Sequence, residues 1–436
     1  MRIGFVLDWN TENQSALVLA RNMFRELAFL MNEKKTFTVT GISKNFLGIG
    51  DINQHFDVVH FPNMTGYKFL DDSAFNCKNL IASPSGVDEL VYGKEVFPDK
   101  YRWARQEPII KYEVFRWKQH VEKIKAVHVV SKSDLHDMNE YLGVPIDKMV
   151  VIPHGVDHTV FFPPNDKKEI RMSVLKYFQI PDSNYFIHVS EYNWARKNLL
   201  RLLDAFDEAK KSGVTHRLIL VGDLHPSILK RVKRTQDVQS LGWVSNNHLV
   251  QLLQGADALL LPSIHEGFGL PLVESMSCGT PCITSNLHSP PEVVGKGGIF
   301  VDPHEISEIK NAIVELSKNE KLRSELSREA IKRSNDFSWK KNALSLLELY
   351  EKSSPKIQSW DFEKNFEVSA SRTLSTVCEL FPDIKQHLVG SLLRFDFPKL
   401  ARWGLEEGLS NEKTKHFLLP LENWLRNKSK IHNGSK

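Results

Sequence analysis

The chain has little of several things, and each scarcity excludes something. It carries 4 cysteines in 436 residues, Cys77, Cys278, Cys282 and Cys378, too few and too scattered for a disulfide framework. Cys278 and Cys282 have a C-x3-C spacing that raises a metal site. No second pair lies near them, however, and their place in a helix-to-strand turn reads as small buried residues. No apolar run approaches the length that spans a bilayer. Neither sign of charge dominates: 57 basic and 53 acidic residues leave a formal net charge of +4, which gives no argument for nucleic acid. The opening Met1-Arg2-Ile3-Gly4-Phe5-Val6-Leu7 turns polar too soon for a signal peptide and reads as a first strand. The expectation is a cytoplasmic protein.

What is present is an ordinary globular composition, 41% hydrophobic and 25% charged, in a chain long enough for two or three domains. Strand-like runs at Arg2 to Leu7, Thr36 to Ile42, Val58 to Phe61, Asn79 to Ala82 and Ala126 to Val130 alternate with helical stretches. The first of these helices runs from about Ser15 to Met31. Such alternation predicts an α/β fold, a parallel sheet wound by helices. Ligands of such sheets bind beyond the carboxyl ends of the strands, which places His60, Asn63, Ser85, Gly86 and Asp88 on the rim of a cleft. A lone histidine at a strand end such as His60 also has a purely structural reading.

The most heavily punctuated stretch is Ala256 to Pro303. Ala258 to Leu261 reads as a buried strand, Ile264 to Leu270 as a glycine-rich loop, and the residues after Pro271 as a helix stopped by Gly279. Cys282 to Thr284 begins the next strand. The N–H groups of Gly267, Phe268, Gly269 and Leu270 are unpaired by that helix and suit an anion. Glu266 precedes the loop and Glu274 lies one turn into the helix. Together they suit a ligand of about two sugar-sized rings, a carboxylate binding hydroxyls at roughly 1.5–3 kcal/mol each. The plainer alternative makes Glu274 a solvated helix residue and Glu266 a partner of the helix dipole. Arg196 and Lys197 sit in another strand-to-helix loop, where two cations can neutralise a departing diphosphate; the alternative is a solvated basic loop.

The motif Glu266-Gly-Phe-Gly-Leu-Pro-Leu-Val-Glu274, followed by Cys278-Gly279-Thr280-Pro281 and Pro291-Glu292-Val293-Val294-Gly295, resembles the family 4 glycosyltransferases. These are retaining enzymes of the two-domain GT-B fold that use nucleotide sugars. The resemblance runs from about Val127 to Tyr350 and takes in Val129-Val130-Ser131-Lys132-Ser133 and Pro153-His154-Gly155-Val156-Asp157. It implies two Rossmann-like doubly wound domains facing a cleft: an acceptor-side domain over residues 1–165 and a nucleotide-sugar domain over 166–335. A helix at 336–353 would cross back to the first domain, and a helical extension of unassigned role would occupy 354–436.

The implied activity is transfer of a hexose-type sugar from a nucleoside-diphosphate sugar, the co-substrate, to a glycan or lipid-linked acceptor. No cofactor is expected, and the lack of any Asp-x-Asp, the metal–nucleotide signature of the other large glycosyltransferase fold, favours metal independence. Glu266, Lys197 and Arg196 are the catalytic candidates. Glu274, the Gly267 to Leu270 loop, Trp243 and Val244 are the donor-binding ones, with Trp243 open to a core role as well. Asn10, His60, Ser85 and Asp88 are the acceptor-side candidates. Three departures stand out: the loop Asp8 to Gln14 lacks the glycine pair of many relatives, Ser85 replaces a histidine, and Ser190-Glu191 replaces a Gly-Arg pair. They sustain a rival reading, a non-catalytic GT-B subunit that binds glycan or stabilises a partner enzyme. The basic, aromatic-bearing helix expected over Lys111 to Lys125 suits either solvent or peripheral contact with an anionic membrane surface.

Overall fold

The structure is a computed structural model. It describes residues 1–7, 14–42, 52–65, 77–85, 87–96, 100–190 and 195–354, with a few positions between 361 and 376. Two six-stranded sheets organise it. The first contains β1 (Arg2–Val6), β2 (Thr38–Ile42), β3 (Val58–Thr65), β4 (Leu80–Ser85), β5 (Ala126–Val129) and β6 (Met149–Val151), in the order β2-β1-β3-β4-β5-β6. Its helices are α1 (Gln14–Lys34), α2 (Ile52–His55), α3 (Asp88–Tyr92), α4 (Lys100–His120) and α5 (Lys132–Leu142).

The second sheet has the order β12-β11-β10-β7-β8-β9. Its strands are β7 (Tyr185–Val189), β8 (Arg217–Val221), β9 (Val238–Ser240), β10 (Leu259–Leu261), β11 (Cys282–Ser285) and β12 (Gly298–Val301). Around it lie α6 (Lys167–Tyr177), α7 (Leu199–Lys211), α8 (Pro226–Val232), α9 (Asn246–Gly255), α10 (Leu270–Ser277), α11 (Pro290–Val294), α12 (Ile306–Lys318) and α13 (Glu320–Ser334). A final helix, α14 (Trp339–Ser353), follows. All strand pairs in both sheets are parallel.

Parallel strands must be buried on both faces, and each sheet accordingly has two cores. In the second domain, Val174, Leu253 and Met276 pack with Ile187, Leu259 and Leu261 on one side. Leu202, Phe206 and Ile313 pack with Phe186, Leu218 and Leu260 on the other. In the first, Trp117, Met138 and Leu142 cover Leu80 and Val127. The opposite face is covered by Met23 and Leu27 of α1 together with Trp339, Ala343, Leu346 and Tyr350 of α14. The last helix of the second half therefore completes the core of the first. Each such buried side chain contributes about 1.5–3 kcal/mol.

Two expectations change here. The helix expected over Lys111 to Lys125 begins at Lys100 and ends at His120, carrying Pro108 in its interior, and Trp117 belongs to the core rather than to an exposed basic face. Among the described residues its exposed large apolar side chains are Ile109, Tyr112 and Phe115. His60, placed on the cleft rim by its position at a strand end, is fully buried, which bears out the purely structural reading of it. Its Nδ1 meets the Tyr350 hydroxyl at 2.6 Å and its Nε2 the Ser83 Oγ at 2.6 Å; Ser83 Oγ continues to His128 Nδ1 at 2.8 Å, and His128 Nε2 to the Ile152 carbonyl at 2.8 Å. Burial depresses both imidazoles, His60 well below its ordinary value and His128 to about 4, so the chain of bonds runs through neutral rings. It ties α14 to the sheet it covers.

The two connections between domains cross at one point. Val156 bridges Ser338 in parallel, and a Cβ added to Gly155 would overlap the Trp339 nitrogen and the Ser338 carbonyl carbon, backbone atoms that have no way to yield. Glycine is required there for close approach, whatever its dihedral angles. Gly155→Ala is expected to destabilise the protein by about 1–3 kcal/mol or more through overpacking, read as a lower urea midpoint; an unchanged midpoint would show that the crossing opens freely.

Candidate active site

In an open parallel sheet the place where successive strands turn to opposite sides leaves a crevice between two loops. In the second sheet that place is between β7 and β10, since β8 and β9 follow on one side and β11 and β12 on the other. The loop after β7 carries Arg196 and Lys197; the loop after β10 carries Glu266. Topology alone brings the three together.

The contacts are close. Lys197 Nζ donates to Glu266 Oε1 at 2.6 Å, and Arg196 donates to Glu266 Oε2 at 3.1 Å and to the His265 carbonyl at 3.0 Å. Backbone pairing holds the loops in register, with Ile264 N–H donating to the Arg196 carbonyl at 2.9 Å. Asn198, in the left-handed region at φ 58°, sends its amide to the carbonyls of Pro262 and Pro303 at 3.0 and 2.6 Å. Burial alone would raise the Glu266 carboxyl, but the Lys197 and Arg196 charges prevail and hold it at about 2. It is a carboxylate at any physiological pH.

The sequence suggests an acidic grip on sugar and a separate cationic clamp; the structure shows one buried ion-pair cluster. Asp88, at the start of α3, adds a second carboxylate from the first domain, 3.5 Å from Arg196. Two cations and two carboxylates balance formally, so an arriving anion must re-partner the cations rather than find them waiting.

Glu274 is placed differently. It lies half-buried on α10, and among the described residues nothing hydrogen-bonds to its carboxyl group. Burial pushes it up to about 7, against a smaller opposing pull from Lys197. The helix start is fixed by Gly269, whose φ of 89° favours glycine and where a Cβ would stand 2.7 Å from Leu272 Cδ1. Its end is a Schellman turn, with Thr280 N–H on the Ser275 carbonyl and Gly279 N–H on that of Met276, both at 3.0 Å. Among the described residues the N–H groups of Gly267, Phe268, Gly269 and Leu270 donate to no protein acceptor. The Phe268 ring is core, packed edge-on against His154 and Phe337, so only its backbone is available to a ligand.

Of the remaining candidates, Val244 is buried in the second domain's core while Trp243 is 70% exposed, which removes the core reading for the tryptophan. Gly222 N–H to Gly242 carbonyl, 2.8 Å, joins this turn to the loop after β8. Ser85 closes β4 opposite Thr65. Asn10, Gly86 and Glu191 lie outside the described residues.

The first domain closes over the site through polar contacts that sequence reasoning missed. Ser131 Oγ donates to the Gly267 carbonyl at 2.8 Å. The Glu292 carboxylate accepts from the N–H groups of Lys132 and Ser133, both at 3.0 Å, at the positive end of α5. Asp137 accepts from His265, and Tyr92 bonds His288. Ser131 and Glu292 stand inside recognisable motifs, but nothing in linear order says that the two motifs touch.

Two doubly wound sheets facing each other, with a loop-bound ion-pair cluster at the switch point of the second, define the GT-B fold. A solved structure of Anabaena Alr3699/HepE in complex with UDP and glucose is similar over 81% of this chain and 100% of its own, with a TM-score of 0.62 at 15% identity, a likeness of fold. The model of the family described as glycosyl transferases group 1 matches residues 175–333. Over that stretch the chain is similar to the group 1 glycosyltransferases. Among curated proteins it is 27% identical over 237 residues to O-antigen chain mannosyltransferase B of Escherichia coli, covering 53% of this chain and 61% of that protein. It is 30% identical over 214 residues to a GDP-mannose-dependent alpha-(1-6)-phosphatidylinositol dimannoside mannosyltransferase of Mycobacterium tuberculosis, covering 48% and 53%. The chain spans between 28% and 61% of the length of the first curated relatives it matches.

Removing one member of a buried ion pair strands the other charge. Lys197→Met is expected to cost about 3–5 kcal/mol in urea unfolding, and Lys197→Met/Glu266→Leu to recover most of it. A single variant as stable as wild type would mean that the pair does not hold the two loops together.

Proposed function

We propose that the protein is a retaining, metal-independent glycosyltransferase that moves mannose, or a closely related hexose, from a nucleoside-diphosphate sugar to a glycan or lipid-linked acceptor. The observation that carries the reading is the Arg196–Lys197–Glu266 cluster at the switch point, beside the open N–H groups of Gly267 to Leu270. The two relatives named above, both mannosyltransferases and one dependent on GDP-mannose, favour mannose and guanosine diphosphate.

A bound diphosphate draws Lys197 and Arg196 toward its oxygens, helped by the loop N–H groups. Glu266, released from full pairing, turns to hydroxyls of the donor sugar. Glu274 accepts from the ribose hydroxyls, and Trp243 offers an exposed ring on which a base can stack. The acceptor hydroxyl attacks the anomeric carbon from the face the diphosphate leaves. The bond from that carbon to the diphosphate oxygen breaks as the new one forms, and a phosphate oxygen takes the acceptor's proton. Asp88 faces the site from the acceptor-side domain.

With a panel of nucleotide sugars and no acceptor, slow release of nucleoside diphosphate is expected, greatest with GDP-mannose and abolished by Glu266→Ala and by Lys197→Ala. Release that survives both substitutions would sink the reading and favour a glycan-binding subunit without catalysis. Because Glu274 titrates near 7, it is a stronger acceptor as a carboxylate. Donor KM should therefore fall as pH rises from 6 to 8, and Glu274→Gln should flatten that dependence.

A lipid-linked acceptor requires the protein to meet a membrane surface. On α4 the exposed Ile109, Tyr112 and Phe115 lie beside Lys111 and Arg116, an arrangement suited to shallow insertion among anionic headgroups. Among the described residues no helix is long and apolar enough to cross a membrane. Flotation with vesicles containing anionic lipid should carry the protein upward, and Ile109→Ser/Phe115→Ser should leave it at the bottom; equal flotation of the two would remove α4 from the surface contact.

A further inference from the structure

Beside the ion-pair cluster, three side chains from separate elements converge in a way that sugar transfer does not use. Asp137 comes from α5 of the first domain, His265 from the loop after β10 and His288 from the loop after β11. Asp137 Oδ2 is 3.0 Å from His265 Nε2 and 3.6 Å from His288 Nδ1, and one ligand atom from each residue lies within 4.8 Å of the others. Asp137 and His265 are buried, and His288 closes the group from its half-exposed side.

Ligand atoms at about 2.1 Å around a tetrahedral zinc stand ~3.4 Å apart, and the two measured separations bracket that value. A metal-bound imidazole needs its other nitrogen fixed by a second partner. His288 has one: its Nε2 meets the Tyr92 hydroxyl at 2.6 Å, and Nε2–H donation to the phenol oxygen leaves the Nδ1 lone pair for Asp137's side. Ser133 Oγ stands 3.4 Å from that nitrogen. His288 also holds φ at 55°, a conformation disfavoured for a residue with a Cβ and retained where surroundings over-determine it.

We propose that Asp137, His265 and His288 bind one zinc-like divalent cation that clasps the two domains together next to the sugar-transfer site, taking no part in the chemistry. A carboxylate with two imidazoles suits zinc, cobalt or nickel over magnesium or calcium, which prefer oxygen-only sets. Since one ligand comes from the first domain and two from the second, cation binding favours the closed arrangement. Mass action then raises the stability of that arrangement.

The test is metal uptake by the full chain, independent of turnover. Protein stripped with chelator and titrated with Zn2+ alone at pH 7.5, against a chromophoric competitor, should take up one equivalent and unfold at a higher temperature. His288→Ala and Asp137→Asn should each weaken uptake at least ~30-fold and abolish the thermal shift. Tyr92→Phe, which deletes one hydroxyl and leaves the packing in place, should weaken it about 10-fold or more. Co2+ in place of Zn2+ should give visible absorption bands that His288→Ala removes. Failure of the stripped wild-type protein to take up an equivalent, or uptake of equal affinity by His288→Ala, Asp137→Asn and Tyr92→Phe, would overturn the proposal.

Discussion

The Glu266 carboxylate, held between Lys197 and Arg196, is the interaction on which the rest of the site depends. It fastens the loop after β7 to the loop after β10 across the point where the sheet changes direction, and it does so in a nearly dry environment. There each charge is tolerable only because the other is present. Every further contact of the cleft builds on that frame: Ser289 Oγ donates to the Glu266 carbonyl at 2.8 Å, and Ser131 from the other domain grips Gly267, the next residue along. The fold puts the loops in place; the ion pair fixes them.

The same arrangement gives the two acidic residues of the motif opposite characters. Glu266 and Glu274 have seven residues between them and are chemically alike, yet cations hold one down at about 2 and burial lifts the other to about 7. One stays charged under all ordinary conditions, and the other changes state within the physiological range. Their difference in charge state follows from environment alone.

Much of this was legible in the sequence. Alternating strands and helices predicted a parallel sheet wound by helices, the resemblance implied a second such domain, and the punctuation by Pro271 and Gly279 located α10 because local chemistry decides where helices start and stop. The motif around Glu266 was visible because a loop between a buried strand and a helix is short-range in sequence. What stayed hidden was long-range. His60 looks like a rim residue at a strand end and is core because Tyr350, almost three hundred positions later, comes to cover it. Trp117 looks like part of an exposed basic helix and is buried because the other face of α4 is the one turned outward. The meeting of Asp137 with His265 and His288 requires two domains to approach, which no periodicity records. The salt link between Lys197 and Glu266 was missed for the same reason: each residue was recognised, but their pairing with each other is a property of strand order.

The docking of α14 on the first domain has a consequence for biogenesis. Leu346 and Tyr350 are needed to seal one face of the opening sheet, yet they are synthesised after the entire second domain. During translation the lobe made first is thus left with a raw apolar flank while the lobe made second can already be complete. The order of maturation along the ribosome is inverted relative to the order of the genetic message, and the nascent amino-terminal half is the one that would call on a chaperone.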